Sequence, residues 1–247
     1  MAAARRTDAQ MRWQSVSATH VGLVRKVNED AILDRPDLGV WAVADGMGGH
    51  AAGDLASRML VESLGRLRVP ANLSTFVEFV EHNILSVNDR LLELSRSRHQ
   101  VIGTTVVTLL MLERHCAFLW AGDSRLYRLR DGACEQLTTD HSQVEQYVQR
   151  GLLSREDAQF HPDNNLITRA VGATQALFLD CDVAALKPGD RYLLSSDGLD
   201  KHVSSDEIAD GLRRFELPRC ARHLINLALE AGGTDNVSVC LVEILDD

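Results

Sequence analysis

Four aspartates in this 247-residue chain stand where short apolar runs end or begin, each with glycine close by. Val40-Trp41-Ala42-Val43-Ala44 runs into Asp45-Gly46-Met47-Gly48-Gly49-His50, and Arg191 to Ser196 runs into Asp197-Gly198. Cys116 to Ala121 runs into Gly122-Asp123, and a reversed copy, Gly232-Gly233-Thr234-Asp235-Asn236, leads into Val237 to Val242. One Asp-Gly after a strand is an ordinary turn. Four of them, on strands that share a sheet and end together, would crowd carboxylates whose repulsion raises their pKa values unless a cation intervenes. Oxygen ligands alone, without Cys or His at zinc spacing, favour Mg²⁺ or Mn²⁺ over Zn²⁺.

Two hard cations sharing a carboxylate can lower the pKa of a bound water and hold a phosphate oxygen for in-line attack. Asp45 is the bridging candidate, because Gly46 leaves its own carbonyl open as a second oxygen ligand. A phosphomonoester also needs a cationic fork, and Arg25, on the segment feeding Glu29-Asp30, is best placed to supply it. A hairpin between that segment and the Val40 strand would bring Glu29 and Asp30 close to Asp45. His50 or His141, through water, could give the leaving alkoxide its proton. The glycines at 46–49 fit neither GxxxxGK[ST] nor a GxGxxG between strand and helix, so they do not read as a phosphate cradle. Ser195-Ser196-Asp197 lacks the GxSxG elbow of a hydrolase triad.

The elements that must position these residues follow in order. Trp13 to Ala18 and Ala31 to Leu33 read as strands, and Ala51 to Leu64 as a helix with Leu55 and Met59 one turn apart. Ser74 is the expected N-cap of a longer helix carrying Val77, Val80, Ile84, Val87, Leu91 and Leu94. Gly103 to Leu112 is one β-rich run, and Asp131-Gly132 joins two further strands as a hairpin. Polar residues 140–165 read as a small helical excursion with a capping box at Ser154 to Asp157, and strand material resumes near 177–183. Ser204 to Glu207 offers a second capping box, and Pro218 opens a last helix stopped by Gly232-Gly233. Many antiparallel strands with one helix pair early and one late predict an α+β domain whose helices cover a β core.

Composition agrees with a folded enzyme-sized domain. Hydrophobic content of 45% with 25% charged residues is ordinary for a globular protein. The net charge of −9 argues against nucleic acid or an anionic membrane as the main partner. Five cysteines without CxxC spacing favour free thiols, with Cys116 and Cys240 in core strands, and a cytoplasmic setting. Residues 1–12 read as a loose tail ahead of one domain over 13–247. No run approaches a membrane span.

Taken together, Arg25-Lys26-Val27-Asn28-Glu29-Asp30, Asp45 to His50, Gly103-Thr104-Thr105, Gly122-Asp123-Ser124-Arg125, Asp197-Gly198-Leu199 and Gly233-Thr234-Asp235-Asn236 resemble, in order, the motifs of the PPM (type 2C) metal-dependent protein serine/threonine phosphatases in their compact bacterial form. The resemblance implies an α-β-β-α sandwich: two antiparallel sheets flanked by helix pairs, with a binuclear Mn²⁺ or Mg²⁺ centre and a small flap at about 141–165. It implies that Asp45 bridges the metals, that the Gly46 carbonyl binds one, and that Asp197 and Asp235 complete the other. Glu29 and Asp30 would act directly or through waters, and Asp123 with Asp197 could hold a third, weaker ion. Arg25 matches the phosphate-binding arginine. Animal members carry a histidine as general acid where this chain has Met47, a change that bacterial relatives share. Implied partners are phosphorylated proteins and a Hanks-type kinase whose work the chain, as a monomer, would reverse. The competing expectations are a catalytically silent signalling module of the same fold and a small-molecule phosphatase or nuclease on the same metals.

Overall fold

A strand that is apolar at every position needs protein on both faces. Val40 to Ala44 is such a strand: Trp41 and Val43 join one buried cluster, while Val40, Ala42 and Ala44 join another. The structure, a computed structural model, describes residues 11–48, 52–158 and 160–245. Its first half runs β1 (Trp13–His20), β2 (Asp30–Arg35), β3 (Val40–Met47), α1 (Ala52–Leu64), α2 (Leu73–Arg98), β4 (Gly103–Thr104), β5 (Val106–Leu112) and β6 (His115–Ala121). The second half runs β7 (Arg125–Arg130), β8 (Ala133–Gln136), α3 (Gln143–Gln149), α4 (Arg155–Ala158), β9 (Asp180–Ala185), β10 (Arg191–Ser195), α5 (Asp197–Asp200), α6 (Ser205–Arg214), α7 (Leu217–Glu230) and β11 (Val237–Ile244).

Two antiparallel sheets stack face to face, with strand orders β1-β11-β10-β7-β8 and β2-β3-β5-β6-β9. Trp41, Val107, Leu109, Phe118, Tyr192, Leu194, Cys240 and Val242 fill the space between them. On the outer face of the second sheet, α1 and α2 bring Ala56, Leu60, Phe76, Val80, Ile84 and Leu91 against Val106, Leu110 and Leu119. On the outer face of the first, α6 and α7 bring Ile208, Leu212, Leu224 and Ala228 against Leu193, Val239 and Leu241. This is the expected α-β-β-α sandwich.

Several local expectations shift. Asn72 rather than Ser74 caps α2, its side chain accepting the Thr75 amide, so the helix starts one residue before Ser74. The run 103–112 is broken at Thr105, which leaves β4 paired to the end of β3 while β5 continues the sheet. Strand material expected from 177 begins at Asp180. Asp131 and Gly132 both have positive φ, 51° and 79°, as a two-residue primed hairpin turn requires. The Ser204 capping box forms with Glu207. Met11, assigned to the tail by sequence, is buried between the sheets, and residues 1–10 lie outside the described residues. Cys116, Cys220 and Cys240 are buried, and all five cysteines are free. No helix among the described residues is long and apolar enough to cross a membrane.

Candidate active site

The four aspartates do converge, though not on one sheet as their repetition suggested. Asp45 and Asp123 come from β3 and the end of β6 in one sheet, and Asp197 and Asp235 from the ends of β10 and β11 in the other. Since β3 and β6 are each antiparallel to β5, they point the same way and finish at the same edge. β10 ends where its antiparallel neighbour β11 begins. An open cleft of about 700 Å³ between the sheet ends is lined by Arg25, Glu29, Asp45, Gly46, Asp123, Asp197 and Asp235. Asp30 lies just behind its wall, directly opposite Asp45 in the β2–β3 register and 7% exposed. Like charges placed opposite one another across a strand pair cost stability, so this pairing serves something other than the sheet.

The backbone around Asp45 is fixed from three sides. Its amide donates to Thr105 Oγ1 at 3.0 Å, its carbonyl accepts the Thr105 amide at 2.8 Å and the Thr104 hydroxyl at 3.0 Å. Thr105 Oγ1 also lies 2.7 Å from Ser124 Oγ, next to Asp123, so the break between β4 and β5 couples two of the acidic positions. Gly46 donates its amide to the Glu29 carbonyl at 3.0 Å, and a Cβ on Gly46 would stand 2.1 Å from the Gly53 carbonyl oxygen. Only glycine lets the start of α1 press this closely against the strand end.

The loop bearing Arg25 is strapped down by Asn236. Its Nδ2 donates to the carbonyls of Val21 and Val27 at 2.9 and 3.0 Å, and its Oδ1 accepts the Glu29 amide at 2.7 Å. Arg25 lies over Asp235, with Nε 2.9 Å from Oδ1 and Nη2 2.9 Å from Oδ2. On the far side of the cleft, Lys201 Nζ lies 2.6 Å from Asp197 Oδ2 and 3.0 Å from Asp235 Oδ2. Arg125 joins Asp140 at 2.7 Å and Asp200 at 3.0 Å, anchoring α5 to the base of the flap.

The electrostatics are those of carboxylates short of cations. Burial pushes the Asp30 carboxyl up to about 7 against the pull of the nearby Ser238 and Ser196 hydroxyls, and Asp197 and Asp235 add to the rise. Burial, followed by Asp30, Asp197, Asp123 and Asp235, holds Asp45 well above the usual carboxylate range. Asp123 is raised in the same direction by burial and then Asp197. Asp235 is the exception: Lys201 and Arg25 outweigh its burial and keep it low. As the side chains stand, no three His, Cys, Asp or Glu among the described residues are grouped to hold a metal ion, and Lys201 and Arg25 occupy oxygens of Asp197 and Asp235. The donor set nevertheless fits hard divalent ions. Buried Glu29 Oε1, Asp30 Oδ1 and Asp197 Oδ1 have no hydrogen-bond partner, and every nearby acidic donor is oxygen.

Of the two histidines expected to supply a proton, only His141 lies among the described residues, and His50 falls outside them. His141 is committed at both ring nitrogens, Nδ1 accepting the Gly122 amide at 3.1 Å and Nε2 lying 3.2 Å from Asp180 Oδ2. Met47 lines the cleft and has no proton to give. Sequence reasoning passed over Lys201 and His202, which also line it, and Asn164 and Asn165, which reach it from the flap segment. For Lys201 a signal existed, because a basic residue four after Asp197 on one helical turn faces it.

Comparison with known proteins agrees with this geometry. The family model described as Protein phosphatase 2C matches residues 24–245. Protein phosphatase PhpP of Streptococcus pneumoniae is 34% identical over 93% of this chain and 96% of its own length. A solved structure of PppA, described as a key regulatory component of T6SS in Pseudomonas aeruginosa, superposes with a TM-score of 0.90 at 39% identity, covering 96% of this chain and 99% of that one. The catalytic domain of the serine/threonine protein phosphatase PstP, solved in complex with two manganese ions, superposes with a TM-score of 0.86 at 32% identity, covering 96% and 100%. With the motifs in order and the acidic cleft formed at the sheet ends, the chain belongs to the bacterial PPM, or type 2C, family of serine/threonine protein phosphatases.

Proposed function

We propose that this chain hydrolyses phosphoserine and phosphothreonine in proteins at a centre of two Mn²⁺ or Mg²⁺ ions, opposing a Hanks-type kinase in the cytoplasm. One observation carries the reading: carboxylates from the ends of four strands in two sheets face one open cleft whose rim bears Arg25. Asp45 would be shared between the ions, the Gly46 carbonyl would bind one of them, and Asp197 and Asp235 would complete the other. Glu29 and Asp30, with unpartnered buried oxygens, would act directly or by holding waters, and Asp123 with Asp197 would take a third, weaker ion. Such ions, when bound, supply Lewis acidity and bring the pKa of a water toward neutrality.

The chain's own residues do the rest. Arg25 exchanges its ion pair with Asp235 for the phosphoryl oxygens, two of which its planar fork can meet with parallel N–H bonds. Asn236 keeps the Arg25 loop in register with Asp235, the residue before it. Residues 141–165, beside the cleft, would meet the phosphoprotein. Turnover of p-nitrophenyl phosphate and of a phosphothreonine peptide should require Mn²⁺ or Mg²⁺ and vanish in EDTA. Asp45→Asn should lower kcat by about a hundredfold or more while leaving the fold intact. A folded but inert wild-type protein would instead favour the silent signalling module. Good turnover of small esters with poor turnover of phosphopeptides would move the substrate to small molecules.

A further inference from the structure

Lys201 stands between two carboxylates that the proposed function assigns to one metal ion. It follows α5, whose single turn runs from Asp197 to Asp200, and its amide donates to the Asp197 carbonyl at 3.0 Å. That turn places the Lys201 side chain over Asp197, four residues earlier, with Nζ 2.6 Å from Oδ2. Asp235 arrives from the other side because α5 is seated against its neighbour: a Cβ on Gly198 would lie 1.9 Å from the Asn236 carbonyl oxygen. The same ammonium is therefore 3.0 Å from Asp235 Oδ2. Lys201 and Arg25 together meet Asp235 at both its oxygens, whereas Asp197 Oδ1 is buried with no partner.

We propose that Lys201 is an internal competitor for the metal position formed by Asp197 and Asp235, its ammonium spanning the two carboxylates so that a divalent ion binds there only as Lys201 withdraws. The inference rests on the metal assignment made under the proposed function. A lysine suits the role, since its single charge is carried on a flexible four-carbon stem and, unlike Arg25, it touches both carboxylates of the position. The side chain is 28% exposed, so it has an open route from the cleft to solvent. The consequence is a position with lower affinity than its carboxylates alone would have, filled in proportion to free Mn²⁺ or Mg²⁺, while the position built on Asp45 and Gly46 stays filled.

Calorimetric titration of Mn²⁺ into the EDTA-treated, dialysed full chain tests this without reference to turnover. Lys201→Met, which keeps the stem and removes the charge, should tighten one of two binding events by about tenfold and leave the other unchanged, the effect expected from removing one unit charge a few ångströms away. Lys201→Gln, the polar control, should do the same. Unchanged or weaker binding in both folded variants would overturn the inference. Asp235→Asn in parallel separates the two levels. Loss of one event in Asp235→Asn, with no gain in either lysine variant, sinks only the role of Lys201. Full Mn²⁺ stoichiometry in Asp235→Asn sinks the metal assignment beneath it.

Discussion

Ser196 donates its hydroxyl to Asp30 Oδ2 at 2.7 Å, joining the residue after β10 in one sheet to the first residue of β2 in the other. Ser196 Oγ in turn accepts the Ser238 amide at 3.0 Å, so the contact is anchored in β11. Asp30 is thus held in the seam between the sheets, where burial favours its neutral form, and its other oxygen has no partner.

A pH dependence of stability follows. Burial pushes Asp30 up to about 7, and it does the same to Asp200 despite the opposing charge of Arg125. Between the ordinary carboxylate value of 3.8 and about 7, the native state therefore holds more protons than the unfolded chain, so its stability falls as pH rises through that window. His141 opposes part of this: burial depresses it below 6.5, so its contribution grows as pH rises toward that value. Asp30→Asn isolates the carboxylate. In EDTA-treated protein the variant should gain on wild type by on the order of 1–3 kcal/mol between about pH 5 and 8, and Mn²⁺ should stabilise wild type more than the variant at the upper end. Urea midpoints that move in parallel for the two proteins would contradict the assignment.

Gly198 offers a substitution whose two effects have opposite signs. In an exposed helix, Ala is favoured over Gly by about 1 kcal/mol. Here the added Cβ would meet the Asn236 carbonyl oxygen at 1.9 Å, so α5 must move away from the start of β11 and take Asp197 with it. The clash wins. Gly198→Ala should destabilise by about 2 kcal/mol or more in urea titrations and lower the affinity for Mn²⁺. A neutral or stabilised variant would mean that α5 is not seated where its contacts put it.

Asn236 makes three hydrogen bonds that no other residue type reproduces at once. With about 1 kcal/mol for each, Asn236→Ala should cost roughly 2–3 kcal/mol of stability. Because two of the three hold the Arg25 loop, KM for a phosphothreonine peptide should rise more than kcat falls, as expected for lost positioning of a binding group. Asn236→Asp keeps only an acceptor and should rescue little. Equal losses in kcat and kcat/KM with unchanged KM would place Asn236 in a different role.

What the sequence made legible, and what it did not, divides along physical lines. Strands such as Val40 to Ala44 and Val237 to Val242 declare themselves because both faces are buried, and the Asp131-Gly132 hairpin because its turn demands positive φ. The Ser204 capping box is local chemistry within four residues and forms as read. The distribution of the aspartates over two sheets was not legible, because periodicity reports burial but not which strand a strand pairs with. Asn72 displaced Ser74 as the cap since both residue types serve and only the geometry of the turn chooses. The residues that hold the site, Thr105 on Asp45 and Asn236 across 209 positions to Val27, act through contacts distant in sequence. Lys201 was hidden for another reason: one basic residue near one acid reads as a surface pair until Asp235 is seen beside it.

The flap base gives a further pH-linked prediction. His141 stacks on Trp120 with the rings 6° from parallel, and its backbone pairs with both Gly122 and Thr168. Since Nδ1 accepts the Gly122 amide, the neutral ring carries its proton on Nε2 and donates it to Asp180, which also binds Arg169 at 2.5 Å. Protonation would set an N–H against the Gly122 N–H and remove the side-chain part of the tie between the Asp123 turn and the flap, leaving only the backbone bonds. Burial lowers the His141 pKa, so the side-chain part is whole above the ordinary value of 6.5 and is lost as pH falls below it. Limited proteolysis within residues 143–166 should therefore quicken several-fold in wild type between about pH 7.5 and 5.5, after correction for the protease's own profile. His141→Gln should be cut at the faster rate at both values, because an amide cannot satisfy Gly122 and Asp180 with the same geometry. A wild-type flap equally resistant at both pH values would show that His141 does not secure it.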